Sequence, residues 1–200
     1  MIALVELDHQ HENRAGSNSE VHMKTYGIER ERFIVLPGGN VTPAIGTLLP
    51  SVQKIAKTRR IDPDRFTYEL FAGQIEDRTP PASSLEELTA MLYENDDVLA
   101  TAATQHDLTY SCAEVMAEHR IVTLVPNPFD ARHQKIWKSI SPETRLAASS
   151  VAGVHVHISA TPEEAVQVLN RCSQDVISFL TSLGDHSQGQ RIRAYQEMAG

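Results

Sequence analysis

Three short stretches of the chain carry residue types that could do chemistry. In Glu29-Arg30-Glu31 two carboxylates flank an arginine. If the stretch is extended, both glutamates share one strand face about 7 Å apart, the rise of two residues. Carboxylates that close raise each other's pKa unless a cation sits between them. A hard divalent ion such as Mg2+ favours these oxygen ligands and usually keeps waters and substrate phosphates in its shell. Gln74-x-Glu76, with Glu69 upstream, offers further oxygens. Gly153-Val154-His155-Val156-His157 puts two imidazoles on one face of a run otherwise made of Val and Ile. Such a pair can share a metal or donate to phosphate oxygens. Each stretch alone also suits a plainer account: a solvated face of alternating Glu and Arg, an exposed strand edge, and a hydrogen-bonded core histidine.

Other chemistries have less to build on. The chain holds no GxGxxG, no GxxxxGK followed by Ser or Thr, no HExxH and no GxSxG. Cys112 and Cys172 lie far apart in apolar, periodic settings, which predicts buried free thiols in a reducing cytoplasm rather than a disulfide, zinc ligands or a nucleophile. Trp137, the single tryptophan, fits a helix-face anchor. Eighteen basic against twenty-six acidic residues give a net charge of −8, which argues against nucleic acid and anionic membranes as partners. No stretch approaches the roughly 20 apolar residues that span a bilayer, and the opening lacks the basic start of a signal peptide. With 200 residues, 41% of them hydrophobic, a single domain with a sizeable core is expected.

The elements that must position these residues follow from periodicity. Residues 1–24, polar beyond Glu6 and without period, predict a flexible leader, with Met23 as an alternative start, ahead of a single domain over 25–200. Residues 25–36 alternate as a strand ended by Pro37-Gly38-Gly39-Asn40, and 43–58 carry a helical stripe stopped near Lys57–Arg60. Residues 66–79 predict one long strand, with Glu69 facing opposite Gln74 and Glu76 unless a bulge at Gly73 resets the facing. Ser84-x-x-Glu87 makes a capping box for a long helix. Residues 108–116 read as a strand, with a helix over EVMAEHR (114–120) as the alternative, 121–125 as extended, 131–140 as a short helix, and 151–159 as a β-branched strand. Thr161, Pro162 and Glu164 then cap a helix whose stripe runs to Leu183. Antiparallel strands with helices laid to one side define an α+β fold.

The order of these pieces is more specific than any one of them. GIERERF, then ELFAGQIEDRT, then GVHVHIS before a capped helix resembles the glutamate–cysteine ligase family and its carboxylate–amine ligase relatives, from about Thr25 to Asn170. The matching positions are Gly27, Glu29 and Glu31; Glu69, Gln74, Glu76 and Thr79; and Gly153, His155 and His157. Arg191 with Tyr195 is similar to a further Arg-x-x-x-Tyr segment. The resemblance implies a glutamine-synthetase-like fold, in which a curved, mainly antiparallel sheet binds metal–ATP on its inner face. It implies Glu29, Glu31, Glu76 and His155 as ligands of Mg2+ or Mn2+, and Glu69, Gln74, His157 and Arg191 as substrate- or nucleotide-binding residues. The implied reaction joins a small-molecule carboxylate, glutamate-like, to an amine at the expense of ATP. Two further readings stay open: a homo-oligomer whose second copy completes the site, and a non-catalytic, regulatory metal- or nucleotide-binding relative of the same fold.

Overall fold

The strand that organises the molecule is Tyr26–Val35 (β2), ten residues whose side chains alternate between two faces of the sheet. A computed structural model describes residues 2–4, 24–171 and 187–199 of the chain. The other strands are Ile2–Leu4 (β1), Phe66–Tyr68 (β3), Gln74–Arg78 (β4), Thr109–Ser111 (β5) and Val154–Ile158 (β6). They lie in the order β1-β6-β2-β4-β3, with β5 pairing the end of β2. Every pairing is antiparallel except β1 on β6. The leader expected over 1–24 thus contains a paired strand at its start, and residues 5–23 lie outside the described residues.

Alternation gives β2 two different faces. Ile34, with Ile75 of β4 and Phe66 of β3, packs beneath the helices Ile45–Thr58 (α1) and Leu85–Gln105 (α2). Leu48, Val52, Val98 and Ala102 fill that core without exposure. Serine caps α2 as the sequence predicts: Glu87 N–H donates to Ser84 Oγ at 3.1 Å. The Glu87 carboxylate reaches back one residue further than expected, to the Ser83 N–H at 2.7 Å.

Phe33 and Val35 point the other way, into a second cluster with Val41, Phe71, Met116 and Trp137. Trp137 lies on the helix Ala131–Ser139 (α3) and stacks on Phe71. Helices therefore pack on both faces, and only α1 and α2 match the expected single layer. Pro142–Ser150 (α4), capped by Ser141, was not foreseen; it packs against the helix Gln190–Ala199 (α6) through Ala147 and Ala194. Residues 162–171 are helical (α5), with the reciprocal Thr161–Glu164 cap in place. The remainder of the stripe expected there, Cys172 included, lies outside the described residues.

Three further expectations are corrected. The strand predicted over 66–79 is two antiparallel strands, β3 and β4, joined by a link at 69–73. Gly73 makes that fold-back possible, since a Cβ there would sit 2.4 Å from the Phe71 ring and 2.6 Å from Val41. The strand expected over 108–116 is confined to β5, and 121–125 makes only an isolated bridge between Val41 and Ile121. Cys112 is exposed rather than buried.

Candidate functional site

Two strand pairings bring the chemical residues onto the Phe33 face. In the β2–β4 ladder Glu31 lies opposite Glu76 and Phe33 opposite Gln74. In the β2–β6 ladder Glu29 lies opposite His155 and Gly27 opposite His157. Opposite residues in a ladder share a face, so Glu29, Glu31, Glu76, His155 and His157 form one surface. Glu69 joins it from the 69–73 link, the fold-back having reset its facing. Carboxylate oxygens of Glu31, Glu69 and Glu76 all lie within 4.8 Å of one another.

The neighbours divide into two groups. His155 Nδ1 is 3.2 Å from Glu29 Oε2, and its Nε2 is 3.8 Å from Glu31 Oε1. His157 Nε2 is 3.3 Å from the same Glu29 oxygen. Glu29 therefore holds the two imidazoles, while Glu31 faces the other carboxylates. Gly153 N–H donates to Glu31 Oε2 at 2.7 Å, which fixes that carboxylate from the far side. A Cβ on Gly153 would meet His155 Nε2 at 3.3 Å, and Glu31 Oε2 and Arg191 Nη2 at 3.5 Å each. The bare glycine leaves the point where these three groups converge uncrowded. Arg191 itself stacks over Tyr195 and donates to its hydroxyl at 3.3 Å.

Of the four residues expected as metal ligands, Glu31 and Glu76 are in the carboxylate cluster, whereas Glu29 and His155 pair with each other beside it. Glu69, expected to touch substrate or nucleotide, stands with the metal-ligand set instead. Gln74 is buried, and its amide nitrogen donates to Val151 O at 2.6 Å, which ties β4 to the chain entering β6. Asn127, which no motif in the sequence marks as part of the site, bonds the backbone of Glu69.

Crowding shows in the acidities. Burial, a hydrogen bond to Glu76 and the charges of Glu31 and Glu76 hold the Glu69 carboxyl well above the ordinary glutamate range. Burial and the charges of Glu29 and Glu31 raise Glu76 as well, against opposing help from Glu69 and Arg78. Two unit charges at such separations repel by on the order of 3 kcal/mol at an effective dielectric near 20. That is a large share of the roughly 5–15 kcal/mol that holds a domain folded. Protonation or a bound cation would relieve that repulsion. The all-oxygen donor set suits Mg2+ or Mn2+.

A pH dependence follows. Because folding raises these pKa values, the stabilisation from the protonated carboxyls is complete below the ordinary glutamate pKa, about 4.3, and is lost as pH rises through the raised values. The melting temperature of metal-free protein should fall across that window relative to a Glu69→Gln/Glu76→Gln double variant, and excess Mn2+ should abolish the difference. Calorimetric melting over a pH series checks this; superimposable profiles for parent and variant would refute it.

An open, mainly antiparallel sheet thus carries three converging carboxylates on one face, flanked by two imidazoles and an arginine. Residues 25–181 match the model of glutamate–cysteine ligase family 2, well over half of the chain. The chain belongs to that family. No curated protein matches it. Among solved structures it is similar to a bifunctional glutathione synthetase from Pasteurella multocida, at 15% identity and a TM-score of 0.45, covering 74% of this chain and 18% of that one. The chain thus spans under a fifth of that protein's length. No described helix is long and apolar enough to cross a membrane.

Proposed function

We propose that the protein is an ATP-dependent carboxylate–amine ligase of the glutamate–cysteine ligase kind, built on a glutamine-synthetase-like sheet. The observation that carries this reading is the convergence of Glu31, Glu69 and Glu76 within 4.8 Å on one sheet face. Family membership supports the reaction class. Glu31, Glu69 and Glu76 would hold Mg2+ or Mn2+, which supplies neutralisation of the ATP phosphate oxygens. Arg191, converging on Glu31 and His155 at Gly153, binds an anionic oxygen of the nucleotide or the carboxylate substrate. Glu29 holds His155 and His157 in place, so that their ring nitrogens line the same face.

The chemistry needs little else from the protein. A carboxylate is a poor electrophile, so its oxygen first attacks the γ-phosphorus of ATP and ADP leaves. The amine nitrogen, as the free base, then attacks the acyl carbon of the acyl phosphate; the C–O bond breaks with its electron pair leaving on inorganic phosphate, and the nitrogen gives up a proton to that phosphate. Positioning and charge neutralisation do most of this work. Dependence on ATP goes with a cytoplasmic location.

Calorimetric titration with Mg2+–ATP, followed by ADP release assayed over amino-acid carboxylates and amines, tests the proposal. Micromolar to millimolar binding and carboxylate-dependent ADP release are expected. Absence of ATP binding overturns the reading. Binding without turnover on any substrate pair replaces the ligase with a non-catalytic metal–nucleotide module.

A further inference from the structure

Glu31 and Glu76 are held in the cation cradle by a continuous β-ladder. Glu69 is not: it lies in the link between β3 and β4, beyond the last ladder pair of β3. Two carbonyls open that link, those of Glu69 and Leu70, and Asn127 takes both. Its side-chain Nδ2 donates to Glu69 O at 2.6 Å, and its backbone N–H donates to Leu70 O at 3.0 Å. Asn127 is fully buried.

The rest of its side chain is occupied as well. Oδ1 accepts from the N–H groups of Phe129 and Asp130 at 3.0 and 3.1 Å, at the start of α3. The second Nδ2 proton points at His133 Nδ1, 2.8 Å away on α3. Turning the amide over would set its nitrogen against two backbone donors, so the orientation is fixed. His133 Nδ1 must therefore accept, which leaves its ring proton on Nε2, facing Asp130 at 3.9 Å. A single buried amide thus spends both donors and its acceptor linking the Glu69 backbone to α3.

We infer that Asn127 is a positioning residue for the cation site, aiming Glu69 at Glu31 and Glu76, with His133 locking the amide that does so. This rests on the metal reading of the carboxylate cluster. It separates two roles that are otherwise mixed in the 127–133 segment. Oδ1 starts α3, which is a matter of folding, and Nδ2 sets a ligand, which is a matter of affinity. Asn127→Asp divides them. The carboxylate keeps the acceptor for Phe129 and Asp130, and His133 can donate to it from the other tautomer, but an oxygen now faces Glu69 O where a donor stood.

The test is Mn2+ binding by the full-length chain, without nucleotide or substrate, measured by calorimetry alongside thermal unfolding. The dissociation constant of N127D should rise roughly 10–100-fold, the range for losing an outer-shell partner of a metal ligand. S84A removes the Ser84 Oγ cap on the Glu87 N–H at the start of α2, outside the Asn127–His133 network, so it should lower the melting temperature and leave Mn2+ affinity as in the parent. A parent that binds and an N127D that binds equally overturn the inference alone. So does an S84A that loses as much affinity as N127D, since the role would then be merely structural. A parent that binds no Mn2+ overturns the metal reading and this inference with it. If N127D does not fold, H133A carries the test: several-fold weaker Mn2+ binding is expected, and parental affinity overturns the inference.

Discussion

Glu76→Gln should make the metal-free protein melt at a higher temperature while weakening Mn2+ binding more than roughly 10–100-fold, the cost of losing only an outer-shell partner. The two effects share one cause. Glu76 is buried opposite Glu31 and hydrogen-bonded to Glu69, and burial with neighbouring negative charge already raises its pKa. Glutamine keeps the shape, removes one charge from beside Glu31, and keeps an oxygen that can accept from the Glu69 carboxyl. The folded state is relieved of repulsion, and the cation loses both a ligand oxygen and a unit of charge. Calorimetric melting and Mn2+ titration of the same preparation measure both. A lower melting temperature with unchanged Mn2+ affinity would show that this carboxylate serves packing, and the cation cradle would have to be abandoned. Stability and function oppose each other here because the site holds like charges together in advance of its ligand.

The surface that carries Glu76 was largely legible in advance because alternation is a property of the sequence itself. In GIERERF every second residue shares a face, so Glu29 and Glu31 were bound to point together, and the same holds for His155 and His157. The helix start at Ser84 was legible for a similar reason, since the donor and acceptor lie three residues apart in the chain. Glu69 was harder. Its place depends on a chain reversal whose turn is made of Leu70, Phe71, Ala72 and Gly73. Turns are expected to be polar because they normally face water, but Phe71 and Ala72 are buried in this one. The only local signal was the glycine, which suggested a bulge and turned out to mark the reversal itself.

What was not legible depends on partners remote in sequence. Asn127 looks like any Asn-Pro turn until its amide is seen on a carbonyl 58 residues away. The second helical layer rests on Trp137 meeting Phe71 and Phe33, a contact that no periodicity encodes. α4 carried a readable start in Ser141-Pro142, but its Ala- and Ser-rich body lacks a broad apolar stripe, and its burial comes from α6. Sequence pattern specified which residues share a strand face, and tertiary packing decided which of those faces meet.

Asp77→Asn should destabilise the protein by about 3–5 kcal/mol, the cost of breaking a buried ion pair from one side. It is the neighbour of Glu76 in β4, but alternation sends it to the helical face, where its carboxylate has no exposure. There Arg30 donates through Nε and Nη2 to Oδ2 at 3.0 and 2.6 Å, and Arg32 Nε donates to Oδ1 at 3.0 Å. Asn95, itself fully buried, adds a donor to Oδ2 at 3.0 Å. Four hydrogen bonds from two cations and an amide thus converge on one carboxylate. An asparagine can offer its oxygen to only one side of that set and must turn an N–H toward the other. Arg32 retains Asp96 at 2.6 Å, and Arg30 keeps the same carboxylate at 3.0 Å, but Asp96 is only half-buried and partly screened by solvent. Chemical denaturation of D77N should show a lower midpoint with an unchanged slope, and Mn2+ affinity of the folded protein should stay close to that of the parent. A loss of Mn2+ binding without a loss of stability would mean that the arginine network acts on the cation site through β4. The adjacent residues Glu76 and Asp77 therefore predict opposite signs: on one face a carboxylate lacks a cation and costs stability, and on the other it is saturated by cations and supplies it.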